Sequence, residues 1–341
     1  MKLSRRTFFK QSLVAAMAIG AIPKSKAVEY DTENVSASVQ GGGSSSKFIS
    51  FSEKGNNADI LLEGVESDFK VMHITDCHIT VPSQKDEEVW EKCKRMHQAY
   101  KDTDSHESGK NVSREEAFTM LLEKAKNEKV DFIVLSGDII NFPSEASVDF
   151  VYKELQKCGI PYAYISGNHD WHLEGTPGSD YSQRKQMIGV LKSLYNGNNP
   201  FCYSTLYKGV NFVCIDNSTY QVDAEQLAFF KQQLNKPYPI VLVMHIPVYT
   251  LLNNGNGTFG NPQWGRAIDN SYEIEKREPW SDKGNTDETK EFYNLVMDNN
   301  IIVLSGHIHT NRVDREKNLL QLVTGLSRNG VHRMINFKLK K

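Results

Sequence analysis

The sequence of 341 residues predicts an α/β fold. Three observations lead to this prediction: apolar runs of strand length recur along the chain, segments with helical spacing lie between several of them, and a polar or glycine-containing turn follows each run. Strands that alternate with helices are typical of α/β domains, and the turns at the carboxyl ends of their strands collect the ligand site.

The first 27 residues are interpreted as a cleavable export signal. They contain six basic and no acidic residues: Ser4–Lys10 resembles the twin-arginine export motif, the apolar run Leu13–Ile22 follows, and Ser25–Ala27 supplies small residues around a cleavage point. About ten apolar residues are too few for a membrane span, which takes roughly 20. We therefore expect export by the twin-arginine translocase to the periplasm or the extracellular space, without a stable membrane anchor.

Residues 28–46 are polar and end in three glycines and three serines, so we expect a flexible linker before a single domain, 47–341. The net charge of -2 becomes -8 without the signal, because 34 basic residues then face 42 acidic ones. This balance argues against nucleic acid or an anionic membrane as the main partner. The five cysteines lack CxxC spacing, and their odd number argues against a disulfide framework.

Within the domain, short runs rich in Val, Ile, Leu or aromatic residues predict strands, and apolar residues at helical spacing predict helices. The predicted strands are Phe69–Thr75, Asp131–Ser136, Tyr162–Ser166, Val210–Ile215, Ile240–His245 and Ile301–Ser305. The predicted helical segments are Val89–Tyr100, Ser113–Lys126, Ser144–Cys158 and Thr286–Asp298. The second of these begins with a capping box, Ser113 to Glu116, which favours a helix start at that point.

Polar residues follow five of the strands. They are Asp76-Cys77-His78, Gly137-Asp138, Gly167-Asn168-His169-Asp170, His245 and Gly306-His307-Ile308-His309. Alternate residues of an extended segment point the same way, so Asp76 with His78, and His307 with His309, are each expected to form a pincer. The glycines in these motifs allow tight turns. Carboxylate and amide oxygens mixed with imidazoles suit Mn, Fe or Zn better than calcium.

The order DxH…GD…GNHD…H…GHxH resembles the calcineurin-like metallophosphoesterase superfamily over residues 69–310. The resemblance implies an α/β/β/α sandwich, in which two mixed sheets pack face to face with helices outside. The implied site residues are Asp76, His78 and His309 on one metal, Asn168, His245 and His307 on the other, a bridging Asp138, and the catalytic residues His169 and Asp170. In the last pair, Asp170 is expected to orient the imidazole of His169.

The resemblance also implies a reaction. Two Mn, Fe or Zn ions, roughly 3.5–4 Å apart, clamp the phosphoryl oxygens and yield a bridging hydroxide that attacks phosphorus, while His169 donates a proton. The implied substrate is a small-molecule phosphate monoester or diester, and the shared motifs do not separate these two classes. The alternative function is that of a non-catalytic metal-binding scaffold with the same fold. Loss of a ligand or of His169 would favour the scaffold, and neither is lost.

Several other residues are candidates for supporting roles. Asn141 occupies the position at which purple acid phosphatases of the superfamily carry a tyrosine ligand, which argues against a tyrosinate-bound ferric ion. His73 is expected to be a core histidine or one that supports the metal ligands from behind. Trp171 and His172 follow GNHD directly and are candidates for lining the pocket, with a surface loop as the alternative.

The long segment Tyr249–Gly284 is rich in Gly and Asn, and a loop of this length is usually functional or disordered. We expect it to contact the substrate through its aromatic and basic side chains, which are Phe259, Trp264, Arg266, Tyr272, Arg277 and Trp280. Arg328, after the last predicted strand, is a candidate contact for the phosphate.

Overall fold

The computed structural model describes residues 48–100, 106–175, 180–254, 257–262 and 284–340. These residues belong to one compact unit, Gly43–Lys341. The export signal and the linker lie outside the described residues, so both stay predictions. Across the described ranges, no helix combines the length and the apolar character needed to cross a membrane.

The first sheet contains the predicted strands that lead to the first three motifs. Its strands are β1 (Phe48–Lys54), β2 (Asn57–Leu62), β3 (Phe69–Ile74), β4 (Phe132–Leu135), β5 (Tyr162–Tyr164) and β12 (Arg333–Lys338). They lie in the order β1-β2-β12-β3-β4-β5, and β12 runs antiparallel to β3. Because β3, β4 and β5 are parallel, their carboxyl ends lie at one edge of the sheet.

The second sheet contains the strands that lead to the last two motifs. Its strands are β6 (Cys202–Tyr207), β7 (Val210–Ile215), β8 (Ile240–Val243), β9 (Ile301–Ser305), β10 (Arg312–Glu316) and β11 (Leu319–Val323). They lie in the order β10-β11-β9-β8-β7-β6, with β6 and β10 antiparallel to their neighbours. The parallel strands β7, β8, β9 and β11 again place their carboxyl ends at one edge.

Aromatic side chains between the sheets form the centre of the core. The ring of Phe212 on β7 lies 5.0 Å from that of Phe132 on β4 and 6.4 Å from that of Phe69 on β3, measured between centroids. Each of these side chains is buried, which stabilises the fold by roughly 1.5–3 kcal/mol per side chain. The two mixed sheets therefore pack face to face, as the resemblance implied.

Helices flank the sheets. They are α1 (Glu87–Lys92), α2 (Lys94–Ala99), α3 (Arg114–Asn127), α4 (Glu145–Cys158), α5 (Asn168–Trp171), α6 (Asp180–Met187), α7 (Ala224–Leu234) and α8 (Asp287–Asp298). Ser113 accepts a hydrogen bond from the amide of Glu116 and so caps α3, and Ser144 and Thr286 cap α4 and α8 in the same way.

All six predicted strands are confirmed, with ends that differ by up to two residues. The single helix predicted over Val89–Tyr100 is wrong, because the helical backbone is interrupted at Cys93 and two short helices form instead. The prediction of no disulfide framework is confirmed, since all five cysteines are buried free thiols.

Candidate metal centre

The five motifs lie in the turns that follow β3, β4, β5, β8 and β9, and backbone hydrogen bonds join these turns. The amide of Asp76 donates to the carbonyl of Gly137 at 3.1 Å, and the amide of His78 donates to the carbonyl of Asp138 at 2.9 Å. The amide of His307 donates to Oδ2 of Asp76 at 3.0 Å, which links the second sheet to the first. The motifs therefore converge on one centre, as predicted.

The backbone at this centre is unusual. Five candidate ligands have left-handed φ angles: Asp76 (53°), His78 (47°), Asp138 (51°), His307 (69°) and His309 (58°). The expected extended pincers are therefore wrong in detail, because β3 and β9 end at Ile74 and Ser305, before the ligands begin. A left-handed residue other than glycine costs about 1–2 kcal/mol. Such strain persists where the surrounding structure fixes the backbone, and it clusters at functional sites.

Asp76, His78 and His309 form a first group, in which one donor atom of each residue lies within 4.8 Å of the others. Oδ1 of Asp76 is 3.3 Å from Nε2 of His309 and 3.8 Å from Nε2 of His78. The two Nε2 atoms are 3.4 Å apart. Asp76 and His78 are buried, whereas the side chain of His309 is 31% exposed. These are the three residues expected to bind one metal.

Asp138, His245 and His307 form a second group with the same spacing. Nε2 of His245 is 3.1 Å from Oδ2 of Asp138 and 3.3 Å from Nδ1 of His307. Nδ1 of His245 donates to the carbonyl of Ser136 at 2.8 Å, so Nε2 is the nitrogen that faces the group. Asn168, the remaining expected ligand, is buried, and its neighbour His169 donates its backbone amide to Oδ1 of Asp138 at 2.8 Å.

Asp138 belongs to two clusters, because it also lies within 4.8 Å of donor atoms of His78 and His169. It therefore lies between the first and second groups, which is the position expected for a bridging carboxylate.

The charges of these residues fit cation binding. Burial acts to raise the pKa of Asp138, but His245 and His169 hold it well below its usual value. Burial lowers the pKa of His78 well below its usual value and that of His307 to about 3. Burial also acts to lower the pKa of His245, but Asp138 raises it to about 9. Ionised carboxylates and neutral imidazoles are the ligand forms, and a cation would displace the proton of His245.

Two buried oxygen atoms support the fit. Oδ1 of Asp76 and Oδ1 of Asn168 accept no hydrogen bond of good geometry from any described residue. A buried polar atom without a partner costs about 1–3 kcal/mol, which coordination to a cation would offset. The chain thus offers carboxylate, amide and imidazole donors in two adjacent groups, and these fit divalent metal ions.

His169 lies beside both groups, with its ring centroid 4.6 Å from that of His78. Its Nδ1 lies 3.1 Å from the carbonyl oxygen and 3.2 Å from Oδ1 of Asn141, so Nδ1–H donates there and Nε2 can exchange a proton with a substrate. Asn141 in turn donates Nδ2 to the carbonyl of Met96 on α2 at 3.3 Å. Burial lowers the pKa of His169, an effect that the charge of Asp138 opposes.

The expectation that Asp170 orients the imidazole of His169 is wrong. Oδ2 of Asp170 accepts the amides of Asp138 at 2.9 Å and Gly167 at 2.7 Å, and Oδ1 accepts the amide of Ile140 at 2.9 Å. Burial raises its pKa to about 7, and the charge of Asp138 acts in the same direction. Asp170 therefore ties the turn after β4 to the turn after β5, while Asn141 contacts the ring.

The glycines of the motifs allow close packing of these turns. A Cβ atom at Gly167 would lie 2.2 Å from Oδ1 of Asp138. A Cβ atom at Gly306 would lie 2.1 Å from Oγ1 of Thr75 and 2.3 Å from Oδ2 of Asp76. Any side chain at these positions would push the ligands apart.

Two tyrosines at the centre were not found from the sequence. The ring of Tyr100 stacks on His78 with 4.2 Å between centroids and lies 5.0 Å from the ring of His169. The hydroxyl of Tyr220 lies 2.8 Å from Nε2 of His307. The spacing around Tyr100 indicated only a helix face, and no motif surrounds Tyr220.

The other candidates differ in their placement. The backbone amide of Arg328 donates to the carbonyl of Asp76 at 3.4 Å, and its guanidinium carbon lies 5.4 Å from the ring centre of Tyr100, so it borders the first group. Trp171 does not line a pocket, because it is fully buried. His172 is also buried, with Nδ1 3.0 Å from Oε1 of Gln183.

His73 is confirmed as a core histidine. It is fully buried, with Nε2 2.7 Å from Oγ of Ser136 and Nδ1 2.8 Å from Oγ1 of Thr324. Its position behind Ser136, whose carbonyl accepts from His245, makes it part of the packing beneath the centre.

The segment Tyr249–Gly284 is described only in part. A Cβ atom at Gly257 would lie 3.2 Å from Cδ2 of His307, so this segment passes against the second group. Phe259 was wrongly expected to contact the substrate, because it is buried against Phe292 with 5.7 Å between centroids. The remaining candidates, Trp264, Arg266, Tyr272, Arg277 and Trp280, lie outside the described residues.

Comparison with known proteins gives one family. The family described as calcineurin-like phosphoesterase matches residues 69–311. A probable cyclic nucleotide phosphodiesterase of Psychrobacter sp. (strain PRwf-1) is 23% identical over 205 residues, which cover 57% of this chain and 51% of that protein. A probable cyclic nucleotide phosphodiesterase of Psychrobacter arcticus is 38% identical over 56 residues, which cover 16% of this chain and 20% of that protein. The chain thus spans about half the length, or less, of these curated relatives.

Solved structures also resemble the chain. A dimetal phosphatase from Danio rerio has a TM-score of 0.49 and 11% identity, over 78% of this chain and 91% of that one. A purple acid phosphatase from yellow lupin has a TM-score of 0.44 and 15% identity, over 79% and 47%.

Proposed function

The chain belongs to the calcineurin-like phosphoesterase family, and we propose that it hydrolyses phosphate esters with two transition-metal ions, Mn, Fe or Zn. The observation that carries the proposal is the position of Asp138 between two groups of ligands. Asp76, His78 and His309 would bind one ion, Asn168, His245 and His307 the other, and Asp138 both.

When bound, two such cations polarise the phosphoryl oxygens and lower the pKa of a water molecule. The chain supplies the rest. Asn141 holds Nδ1 of His169, so Nε2 is placed to donate a proton to the leaving oxygen. Arg328 packs over the ring of Tyr100 at the edge of the first group and donates Nη1 to the carbonyl of Tyr100 at 3.4 Å. It would bind a phosphoryl oxygen through charge-assisted hydrogen bonds.

The proposed substrate is a small-molecule phosphate ester. The relatives named as probable cyclic nucleotide phosphodiesterases make a phosphodiester the first class to test. The acidic balance of the chain disfavours nucleic acid. The scaffold alternative has no observation in its favour, since all seven ligands and His169 are present.

The test compares metal content with turnover. Protein stripped by a chelator would be restored with Mn, Fe or Zn, and each form assayed on an aryl phosphate monoester, an aryl phosphate diester and a cyclic nucleotide. We expect two bound ions, loss of hydrolysis on stripping and recovery on restoration. Full turnover by the metal-free protein would contradict the proposal.

We further propose that Tyr249–Gly284 selects the substrate. The approach of Gly257 to His307 supports this, because it brings the segment against a ligand of the second group. Shortening residues 263–280 should raise KM for the best ester of the panel, since remote contacts are lost, and should change turnover of a small aryl phosphate little. Equal losses on both substrates would mean that the segment supports the metal centre instead.

Export is also a proposal, supported by the pattern of Ser4–Lys10. Replacing Arg5 and Arg6 with lysine keeps the charge and removes the paired guanidinium groups of the motif. The protein should then stay in the cytoplasm with its signal uncleaved, as fractionation of expressing cells would show. Undiminished export of the double variant would rule out the twin-arginine route.

A further inference from the structure

Tyr220 lies in the connection between β7 and α7 and is only 3% exposed. Its hydroxyl oxygen is 2.8 Å from Nε2 of His307, and the two rings meet edge to face with 5.6 Å between centroids. The contact is therefore a partly buried hydrogen bond to an imidazole of the second group.

The chemistry of the imidazole gives this bond a direction. Nδ1 of His307 lies 3.3 Å from Nε2 of His245, so Nδ1 is the nitrogen that faces the second group. A neutral imidazole carries one proton, and a cation needs the lone pair of Nδ1. Nε2–H must then donate to the hydroxyl oxygen of Tyr220. The opposite tautomer would place a proton on Nδ1 and block the cation.

The backbone at Tyr220 is strained. Its φ is 63°, a left-handed conformation that is rare for an aromatic residue. Such conformations persist where the surroundings over-determine them, and they cluster at functional sites. The amide of Tyr220 donates to the carbonyl of Asn217 at 2.8 Å, which closes a turn around the strained residue.

The same turn also fixes the backbone of His245, the other histidine of the group. Oδ1 of Asn217 accepts the amides of His245 at 3.2 Å and Ile246 at 3.1 Å, and Nδ2 of Asn217 donates to the carbonyl of Ile246 at 2.7 Å. Residues 217–220 therefore fix the backbone at His245 and the ring of His307 together.

We propose that Tyr220 is a positioning residue that fixes the tautomer and the ring orientation of His307 for the metal of the second group. The inference rests on the proposed function, because it assumes a cation at Nδ1 of His307. Partners of this kind raise the basicity of a ligand and hold its ring, and their loss costs about 10–100-fold in metal affinity.

The test measures metal affinity instead of turnover. Tyr220→Phe keeps the ring and removes the hydroxyl. The matched control is Tyr203→Phe, which likewise removes the hydroxyl of a buried tyrosine. The hydroxyl of Tyr203 donates to the backbone carbonyl of Tyr164 at 2.9 Å. Metal-free proteins would be titrated with Co(II) in competition with a chelator, while the visible absorption of bound Co(II) is followed. Thermal unfolding of each metal-free protein checks that it is folded.

We expect the wild type to bind two ions and Tyr203→Phe to bind both with the affinities of the wild type. In Tyr220→Phe one ion should bind about 10–100-fold more weakly, with an altered absorption, and the other should stay within about twofold. Should Tyr220→Phe fail to fold, Tyr220→Asn removes the same contact with a residue that tolerates the left-handed backbone. Two ions of wild-type affinity in the Tyr220 variant would overturn the inference alone. Fewer than two ions in the wild type would overturn the proposed function with it.

Discussion

The two ligand groups of the metal centre are held in different ways. In the second group, each imidazole has a hydrogen-bond partner behind it: Nδ1 of His245 donates to the carbonyl of Ser136, and Nε2 of His307 contacts the hydroxyl of Tyr220. The nitrogen that faces the metal is therefore set before any ion binds.

The imidazoles of the first group have no such support. Among the described residues, neither Nδ1 of His78, which is buried, nor Nδ1 of His309 has a hydrogen-bond partner, and the side chain of His309 is 31% exposed. The stacked ring of Tyr100 covers His78 instead. Ring stacking fixes a plane but not a tautomer, so the first group is less preorganised.

This difference predicts that the two groups differ in metal affinity. Outer hydrogen bonds orient ligands and raise their basicity, so we expect the second group to bind its ion more tightly. We expect the first group to exchange its ion faster, because the side chain of His309 is partly exposed. We also expect the substrate to enter on this side of the centre, where Arg328 lies beside the first group. Substitutions at the centre test this difference between the two groups.

Asp138→Asn should have the largest effect, because Asp138 is the carboxylate shared by both groups. We expect weaker binding of both ions and a loss of turnover of roughly 10⁴-fold or more. The two cations together stabilise the transition state by several kcal/mol, and about 1.4 kcal/mol corresponds to a ten-fold change in rate. Asp131→Asn, which removes a carboxylate paired with Lys208, is the control and should keep both ions. Retention of either ion at wild-type affinity in Asp138→Asn would refute the bridging role.

His169→Asn should separate chemistry from metal binding. The ring is not an expected ligand of either group, so both ions should stay, while turnover should fall by ~10²–10⁴ if Nε2 donates the proton. Metal analysis and single-turnover kinetics on an aryl phosphate would measure the two effects. Loss of an ion in this variant would make His169 a ligand.

Gly306→Ala should disturb both groups through packing. The added methyl would meet Oγ1 of Thr75 and Oδ2 of Asp76, and overpacking of this kind costs about 1–3 kcal/mol. A lower unfolding temperature and weaker binding of both ions are expected. Gly189→Ala, where a Cβ would meet no atom within 4 Å, should change neither quantity. Equal behaviour of the two variants would show that the close approach is unimportant.

Tyr100→Ala should have the smallest effect, and on the first group alone. An aromatic pair contributes about 0.5–1.5 kcal/mol, so the affinity for the first ion should fall by roughly 2–10-fold. Tyr100→Phe keeps the ring over His78 and should retain the affinity. A change in the second ion instead of the first would mean that the two groups are not independently held.

Strands β3, β4, β5, β7, β8 and β9 could be predicted from the sequence, because buried parallel strands form continuous apolar runs such as Ile240–Val243. The other six strands were missed. Some have mixed patterns, as in β10 (Arg312–Glu316), where only the middle residue is buried, whereas the apolar run of β11 (Leu319–Val323) was overlooked. Helix α7 carried an overlooked signal, the capping box of Asp223 and Gln226.

The candidate ligands could also be predicted, since each follows an apolar run and matches a motif. Their supports could not, because these depend on contacts between distant segments. Tyr220 reaches a histidine 87 positions away. Tyr100 lies 22 positions after His78, the residue it covers, and only the path of α1 and α2 brings it there. The role of Asp170 was predicted wrongly because the prediction relied on its position next to His169 in the sequence. Its carboxylate instead accepts hydrogen bonds from backbone amides, such as that of Asp138, that are distant in the sequence.

We expect two ions to bind with unequal strength, the tighter one at the second group. The most direct measurement is an equilibrium competition of the metal-loaded protein against a chelator of graded concentration, for the wild type, His245→Asn and His309→Asn. We predict two release steps in the wild type. His309→Asn should remove only the weaker step and His245→Asn only the tighter one. A single step for both ions, or the reverse assignment, would contradict the account.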